Sequence, residues 1–248
     1  MRSANPTLHE KTFESQRAIA GGEVMTLNGT VNKTGMLLVL LVIPAAWVWS
    51  RFMANPENPA AVMPYIWGGL ILGFILALVT TFKAAWSPIT APAYAIFEGL
   101  AIGGISAFFE MRFPGIVIQA VGLTFGTLAA LLMAYKAGVI RATENFKLGV
   151  MAATGGIALI YVTTMVLGFF SIRIPYIHES GWIGIGFSLF VVVIAALNLV
   201  LDFDFIESGA QRGAPKYMEW YGAFGLMVTL IWLYLEFLRL LAKLRSRN

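Results

Sequence analysis

Seven long apolar runs constrain the fold of this chain more than any other feature of its sequence. They lie at about 36–53, 64–82, 90–109, 115–135, 148–172, 181–206 and 217–242. Most of them reach the roughly 20 residues that a helix needs to cross ~30 Å of hydrocarbon. Because the bilayer core cannot hydrate free backbone groups, such segments must be helical unless they form a barrel, and no period-two alternation indicates a barrel. The sequence therefore predicts an all-α integral membrane protein with a bundle of seven transmembrane helices.

The composition agrees with a membrane protein and excludes several other classes. Of the 248 residues, 58% are hydrophobic and 12% are charged, whereas soluble domains carry about a quarter charged residues. The formal net charge is +4, but the basic residues are scattered between apolar runs, so no nucleic-acid partner is expected. The chain has no cysteine, which excludes disulfides, a thiolate nucleophile and a cysteine-based metal site.

The first residues differ in character from the rest of the chain. Residues 1–34 are polar and contain no apolar segment typical of a signal peptide, so we expect a cytoplasmic tail. Residues 35–248 are expected to form the transmembrane domain.

Loop charges predict how the chain crosses the membrane. With the N-terminus inside, the inner segments hold ten lysines and arginines, whereas the outer loops hold three, at Arg51, Arg112 and Arg173. Positive charge collects on the cytoplasmic side, so we expect a bacterial inner-membrane protein with a cytoplasmic N-terminus. Seven spans then place the basic residues from Arg239 onward outside. A re-entrant last helix, leaving six full spans, is the alternative, but seven are favoured because earlier segments usually set orientation.

Three glycine pairs have the spacing that lets helix backbones approach closely in lipid. They are Gly69/Gly73, Gly99/Gly103 and Gly122/Gly126. All three are expected to mark contacts between helices.

Carboxylates inside or beside apolar runs are costly in a bilayer, so each is a candidate functional group. On the sixth run, Asp202 shares a small, polar helical face with Ser188, Ala195 and Asn198, which predicts that it faces the bundle interior. Asp204, two residues further on, points in nearly the opposite direction. We therefore expect Asp204 to reach headgroup water.

Two other acids lie within the apolar runs. Glu98 is eight residues past Thr90, or roughly 12 Å into the membrane, and is the acid expected nearest to mid-depth. On the last run, Glu236 shares a face with Gly222, Gly225, Thr229 and Trp232, which again indicates the bundle interior.

Depth decides which of these groups can meet. The sixth run descends toward the cytoplasm and the seventh ascends, so Glu236 should lie roughly 28 Å above the start of the last helix. Asp202 and Glu236 can then hardly touch. Glu219, or a group near Thr229, is better placed to approach Asp202, with Lys83 as a further possible partner. An aqueous path that passes Asp202, Glu98 and Glu236 at successive depths is therefore expected rather than one compact site.

Four stretches carry a resemblance to a known family. They are MTLNGTVNKTG before the first span, SPITAPAYAIFEGLAIGGIS in the third, LDFDFIE closing the sixth and PKYMEWYGAFGLMVTLIWLYLEFLRLL in the last. In these the chain resembles the Bax inhibitor superfamily, in particular its bacterial YccA-like and YetJ-like branch. The resemblance implies a seven-helix bundle with the C-terminal helix central. YetJ-like members are similar to pH-sensitive calcium leak channels gated by two aspartates on the last two helices.

The family's functional residues carry over unevenly. Asp202 matches the sixth-helix aspartate in its sequence context. The second aspartate has no clear counterpart, since one alignment places Thr229 there and another places Glu236. The family's arginine between the second and third helices has only Lys83 as a counterpart, and Glu98 resembles a feature of this branch.

No group of residues predicts catalysis. His9 and His178 lie far apart in the sequence, and no serine has a base beside it. An intramembrane protease would need paired acids at mid-depth or an HExxH motif, and the sequence shows neither. We therefore expect no enzyme and no cofactor.

The leading hypothesis is a pH-sensitive cation (Ca²⁺/H⁺) leak channel or transporter, because carboxylate oxygens suit Ca²⁺ and change charge with pH. The candidate ion-pathway and pH-sensing residues are Asp202, Glu98, Glu236, Thr229, Asp204, Glu219 and Lys83. Asp202 is also the candidate Ca²⁺ ligand, with Ca²⁺ as the transported ion.

The alternative is a non-transporting regulatory partner or inhibitor of a membrane-bound AAA protease, which the YccA-like resemblance also implies. A solvated path from Asp202 outward favours transport, and a plugged bundle favours the regulator.

Overall fold

The structure, a computed structural model, describes residues 23–170 and 181–247, and these form seven long helices. The helices are α1 (Leu27–Ala54), α2 (Met63–Phe82), α3 (Ser87–Arg112), α4 (Ile116–Lys136), α5 (Glu144–Phe169), α6 (Trp182–Gln211) and α7 (Met218–Arg245). Single 3-10 turns at Pro59–Ala61 and Ala84–Trp86 precede α2 and α3. Every helix is long and apolar enough to cross a membrane, which confirms the predicted seven-helix transmembrane bundle.

Helix α7 lies at the centre of this bundle. It packs against α1, α3, α4 and α6, whereas α5 packs mainly on α6. The predicted inward stripe of α7 is largely buried, as Gly222 and Glu236 show, but so are Leu230 and Leu233 on another face. The last run is thus one continuous helix of 28 residues, surrounded by its neighbours, and not a re-entrant half-helix.

Helix α1 begins about two turns earlier than the apolar run predicts. Thr26 is its N-cap and accepts a hydrogen bond from the Gly29 N–H at 3.0 Å, so the helix begins at Leu27. The last residues of the predicted polar tail therefore belong to the first helix. Residues 1–22 of that tail, with His9, and the second histidine His178 lie outside the described residues.

Two of the three glycine pairs lie at helix contacts. A Cβ on Gly103 would lie 2.3 Å from the Ala45 carbonyl oxygen of α1, so only glycine permits this approach between α1 and α3. A Cβ on Gly69 would meet α3 in the same way. Gly122 and Gly126 are exposed, and no described residue lies within 4 Å of their Cβ positions, so the predicted contact is wrong for the part of the chain that the structure describes.

The two ends of the bundle can be told apart by their turns. The amino-terminal face holds the start of α1 and the α6–α7 turn, where the Met25 N–H donates to the Ala214 carbonyl at 2.7 Å. The carboxyl-terminal face holds the end of α7, where Arg245 donates to the Pro114 carbonyl in the α3–α4 turn at 2.7 Å.

Candidate functional site

Asp202 lies on the face of α6 that packs against α7, as its helical position predicts. The Thr229 hydroxyl lies between the Asp202 carboxylate and the carbonyl of Gly225, 3.3 Å from that carbonyl. A Cβ on Gly225 would lie 3.9 Å from Asp202 Oδ1, so the glycine leaves room for the carboxylate. Asp202 Oδ2 is buried and has no hydrogen-bond partner in the described part of the chain.

Glu236 is the second acid on α7, and its side chain is 1% exposed. Its Oε1 accepts hydrogen bonds from the Tyr161 hydroxyl of α5 at 2.9 Å and from Arg239 Nη1 at 2.7 Å. The guanidinium of Arg239 also lies over the Tyr161 ring, 5.2 Å from its centroid. Glu236 Oε2, like Asp202 Oδ2, is buried without a hydrogen-bond partner among the described residues.

The two acids occupy different depths beside the same helix. Asp202 is level with Thr229, and Glu236 follows Thr229 by seven residues, which is roughly 10 Å along a helix. Lys243 follows Glu236 by a further seven residues along α7, and its ammonium group donates a hydrogen bond to the Ser188 hydroxyl of α6 at 2.9 Å. As predicted, Asp202 and Glu236 do not touch, and they lie at successive depths between the two faces of the bundle.

A cavity lies near each end of this row of polar groups. The larger one, about 910 Å³, opens at the amino-terminal face, and Phe203, Asp204 and Leu226 form part of its wall. The smaller one, about 270 Å³, lies toward the carboxyl-terminal face between Arg239 and Lys243.

Closely packed apolar side chains separate the two cavities along α7. Leu226 lines one cavity and Arg239 lines the other, which places them roughly 20 Å apart on the helix. Between them, Met227, Leu230 and Leu233 are buried. This stretch of the bundle is therefore closed.

Glu98 and Lys83 lie away from these groups. Glu98 faces α2, where its Oε2 would lie 2.8 Å from a Cβ on Gly73. Lys83 ends α2 with its ammonium over the Trp86 ring, 4.5 Å from the centroid. Among the described residues, no hydrogen bond or ion pair joins either of them to Asp202 or Glu236. Glu98 packs against α2, whereas Asp202 and Glu236 lie beside α7.

Asp204 lies near the amino-terminal face. Its carboxylate pairs with Lys147 of α5 at 2.8 Å, and its side chain is 25% exposed. Nearby, the Tyr135 hydroxyl of α4 donates to Glu207 at 2.5 Å. Both acids line the larger cavity, and both already have partners.

Glu219 forms a connection between the first and last helices instead of approaching Asp202. It is fully buried and accepts the N–H and the hydroxyl of Thr26, each at 2.9 Å. Lys33 of α1 forms an ion pair with the same carboxylate, and Lys216 lies 3.3 Å away. The hydrogen bond to Glu219 raises the pKa of Lys216. Of the two groups expected to approach Asp202, the one beside it is therefore Thr229, whereas the Glu219 carboxylate faces α1.

Several of these partners were not identified from the sequence. Lys33 and Thr26 were assigned to the polar tail, although a threonine just before a helical run is a usual N-cap signal. The spacing of three residues between Glu236 and Arg239 is another local signal for a helical ion pair. No local pattern predicts that Tyr161 or Lys147 reaches an acid on another helix.

Comparison with known proteins identifies the family. The family model described as Bax inhibitor 1 like matches residues 5–246, a range that includes all seven described helices. Neither the curated proteins nor the solved structures give a match. The chain is a multi-pass membrane protein that belongs to the Bax inhibitor 1 like family.

Proposed function

We propose that this protein is a pH-sensitive cation (Ca²⁺/H⁺) leak pathway of a bacterial inner membrane, with its N-terminus in the cytoplasm. The proposal involves no catalytic step and no cofactor, and Ca²⁺ is the transported ion. The observation that carries it is a pair of buried carboxylate oxygens, Asp202 Oδ2 and Glu236 Oε2, which lie at two depths beside α7 and have no hydrogen-bond partner among the described residues. A buried carboxylate oxygen without a partner is costly, so such groups are retained in membrane proteins mainly for function.

Protonation of Asp202 provides the proposed gate. A protonated carboxyl is neutral and tolerates the close packing around Gly225 and Thr229. A charged carboxylate in the same place requires water or a cation, because its Oδ2 has no donor among the described residues. The nearest ion pair on α6 is Asp204 with Lys147, and its charges are already matched. Deprotonation therefore favours hydration and separation of α6 from α7, and flux should rise with pH.

The test is Ca²⁺ flux through the purified protein in liposomes, scanned from mildly acidic to mildly alkaline pH. Asp202→Asn should leave the fold intact and flatten the pH response, because an amide does not titrate. Asp204→Asn is the matched control, since it makes the same change two residues away at a partly exposed ion pair. It should change flux and stability little.

Two outcomes contradict this gate. If Asp202→Asn keeps the full pH dependence of flux, Asp202 is not the gate. If Asp204→Asn loses as much of the pH response as Asp202→Asn, the assignment of the gate to Asp202 and not to Asp204 is wrong. Absence of wild-type flux at every pH removes the leak itself.

A second candidate function follows from the closed packing between the two cavities. A bundle plugged by Met227, Leu230 and Leu233 suits a non-transporting regulatory partner or inhibitor of a membrane-bound AAA protease. This proposal expects no flux, but slower degradation of a protease substrate when the protein is reconstituted with the protease. Flux in the wild type without any effect on degradation excludes it.

A further inference from the structure

The cavity at the amino-terminal face is bounded by helices that do not pack closely on each other. Helices α1 and α4 both pack on α7 but have little contact with one another, which leaves a gap between them. The cavity of about 910 Å³ occupies this gap. Its apolar lining comes from four helices, with Leu27 and Val31 on α1, Leu128 and Leu132 on α4, Phe203 on α6 and Leu226 on α7.

The mouth of the cavity carries two basic side chains. Lys136, at the end of α4, and Arg141, in the following turn, both line the cavity and are exposed. Neither forms an ion pair with a carboxylate among the described residues. Asn28 and Thr143 add neutral polar side chains to the same lining.

The carboxylates in the lining cancel only part of this charge. Asp204 pairs with Lys147 at 2.8 Å. Glu207 accepts hydrogen bonds from Tyr135 at 2.5 Å and from Gln211 at 3.2 Å. Tyr135 and Gln211 are neutral donors, so Glu207 keeps its negative charge. The two basic side chains outweigh this one carboxylate, which leaves a net positive charge around the opening, above walls that are mostly apolar.

This combination fits one class of ligand. The opening lies at the ends of membrane-spanning helices, where lipid headgroups lie, and basic pockets between such helices bind anionic headgroups. The volume is in the range of about 300–1,000 Å³ that is usual for small-molecule sites. A small polar anion would leave the apolar walls unused, and an uncharged hydrocarbon would leave the basic pair unused.

We propose that an anionic phospholipid binds here, with one acyl chain between α1 and α4 and its phosphate on Lys136 and Arg141. The site belongs to the leaflet at the amino-terminal face. It does not depend on ion movement, and it holds whether or not the protein conducts.

Native mass spectrometry of the protein released from detergent tests the site. Phosphatidylglycerol and phosphatidylcholine are added in equal amounts, and retention of each lipid is measured. The wild type should retain phosphatidylglycerol preferentially. The double variant Lys136→Gln/Arg141→Gln should lower that retention roughly 10-fold or more, since each basic side chain near anionic headgroups contributes about 1 kcal/mol. Arg212→Gln is the matched control, because Arg212 is exposed at the same face but does not line the cavity.

A second variant tests the acyl-chain part of the site. Gly35 lines the cavity from α1, and a Cβ there would meet nothing within 4 Å, so Gly35→Phe can fill the space without a clash. It should abolish preferential retention while both basic side chains remain. Gly122→Phe is the control, since Gly122 has the same open space on an exposed part of α4 outside the lining.

Equal retention of the two lipids by the wild type overturns the proposal, because it indicates unspecific lipid around the bundle. Undiminished phosphatidylglycerol retention in the Lys136→Gln/Arg141→Gln variant also overturns it. If Gly35→Phe proves unfolded by circular dichroism, the charge variant alone decides, since its two side chains are exposed and make no ion pair in the described chain.

Discussion

At the scale of single residues, Glu219 has the largest set of partners among the described acids. Its carboxylate accepts hydrogen bonds from the backbone N–H and the hydroxyl of Thr26, and it forms ion pairs with Lys33 and Lys216. Lys33 also lies over the Trp220 ring, 5.5 Å from its centroid. A buried carboxylate is stable only with such partners, so this position serves the attachment of α1 to α7.

Glu219→Gln should destabilise the protein by about 3 kcal/mol, because it leaves the charge of Lys33 beside a neutral amide. Thermal unfolding of the purified protein in detergent measures the change. Glu144→Gln is the matched control: Glu144 pairs with Lys147 at 3.3 Å but its side chain is 91% exposed. That change should stay within about 0.5 kcal/mol, since exposed ion pairs contribute little. Equal melting temperatures for Glu219→Gln and the wild type would show that the attachment is not needed.

Helical periodicity was enough to predict which way Asp202 and Glu236 face, because a face is a local property. It was not enough to predict partners. Lys33 and Glu219 are 186 residues apart, and only the position of α1 beside α7 brings them together. The same limit applies to Glu98, because its place in the sequence does not tell which neighbouring helix it faces.

At the scale of helices, identical glycine spacing has two different outcomes. Gly103 lies against the backbone of α1, whereas Gly126 has nothing within 4 Å of its Cβ position. The spacing shows that a close approach is possible, but not that a partner helix is present. Sequence alone therefore predicted the helices and their approximate ends, but not the arrangement of the helices around α7.

Gly103→Ala should destabilise the protein by roughly 1–3 kcal/mol, because the added methyl group meets backbone atoms of Ala45 that cannot move independently. Gly126→Ala is the matched substitution. It should be neutral or stabilise by up to about 1 kcal/mol, through the higher helix propensity of alanine. Unfolding of both variants in detergent measures the change in stability. If Gly126→Ala loses more stability than Gly103→Ala, the face of α4 that carries Gly126 is packed against a neighbour and not exposed.

At the scale of the whole molecule, seven full crossings place the two faces of the bundle on opposite sides of the membrane. Each described helix is long and apolar enough to cross, and α7 is continuous over 28 residues. The sequence left six spans open because the basic C-terminus opposes the usual charge rule. In the structure, two of these basic side chains bind other parts of the protein. Arg239 forms an ion pair with Glu236, and Arg245 donates a hydrogen bond to the α3–α4 turn.

The absence of cysteine allows a direct test of the proposed orientation. Arg212→Cys lies in the α6–α7 turn and Arg247→Cys lies beyond α7, and both positions are exposed. In intact spheroplasts, a membrane-impermeant maleimide should label position 247, and it should label position 212 only after permeabilisation. Labelling of both positions from one side would support six spans and a re-entrant last helix.

The contact between Thr26 and Glu219 has a consequence for the order in which the protein is made. The ribosome releases α1 before the other described helices, yet the carboxylate that holds its beginning is synthesised 193 residues after Thr26. Until α7 enters the membrane, α1, α3, α4 and α6 lack the helix on which they all pack, and the start of α1 lacks its contact with Glu219. A chain that stops before residue 218 should therefore remain a target for quality-control proteases, however well its individual helices insert.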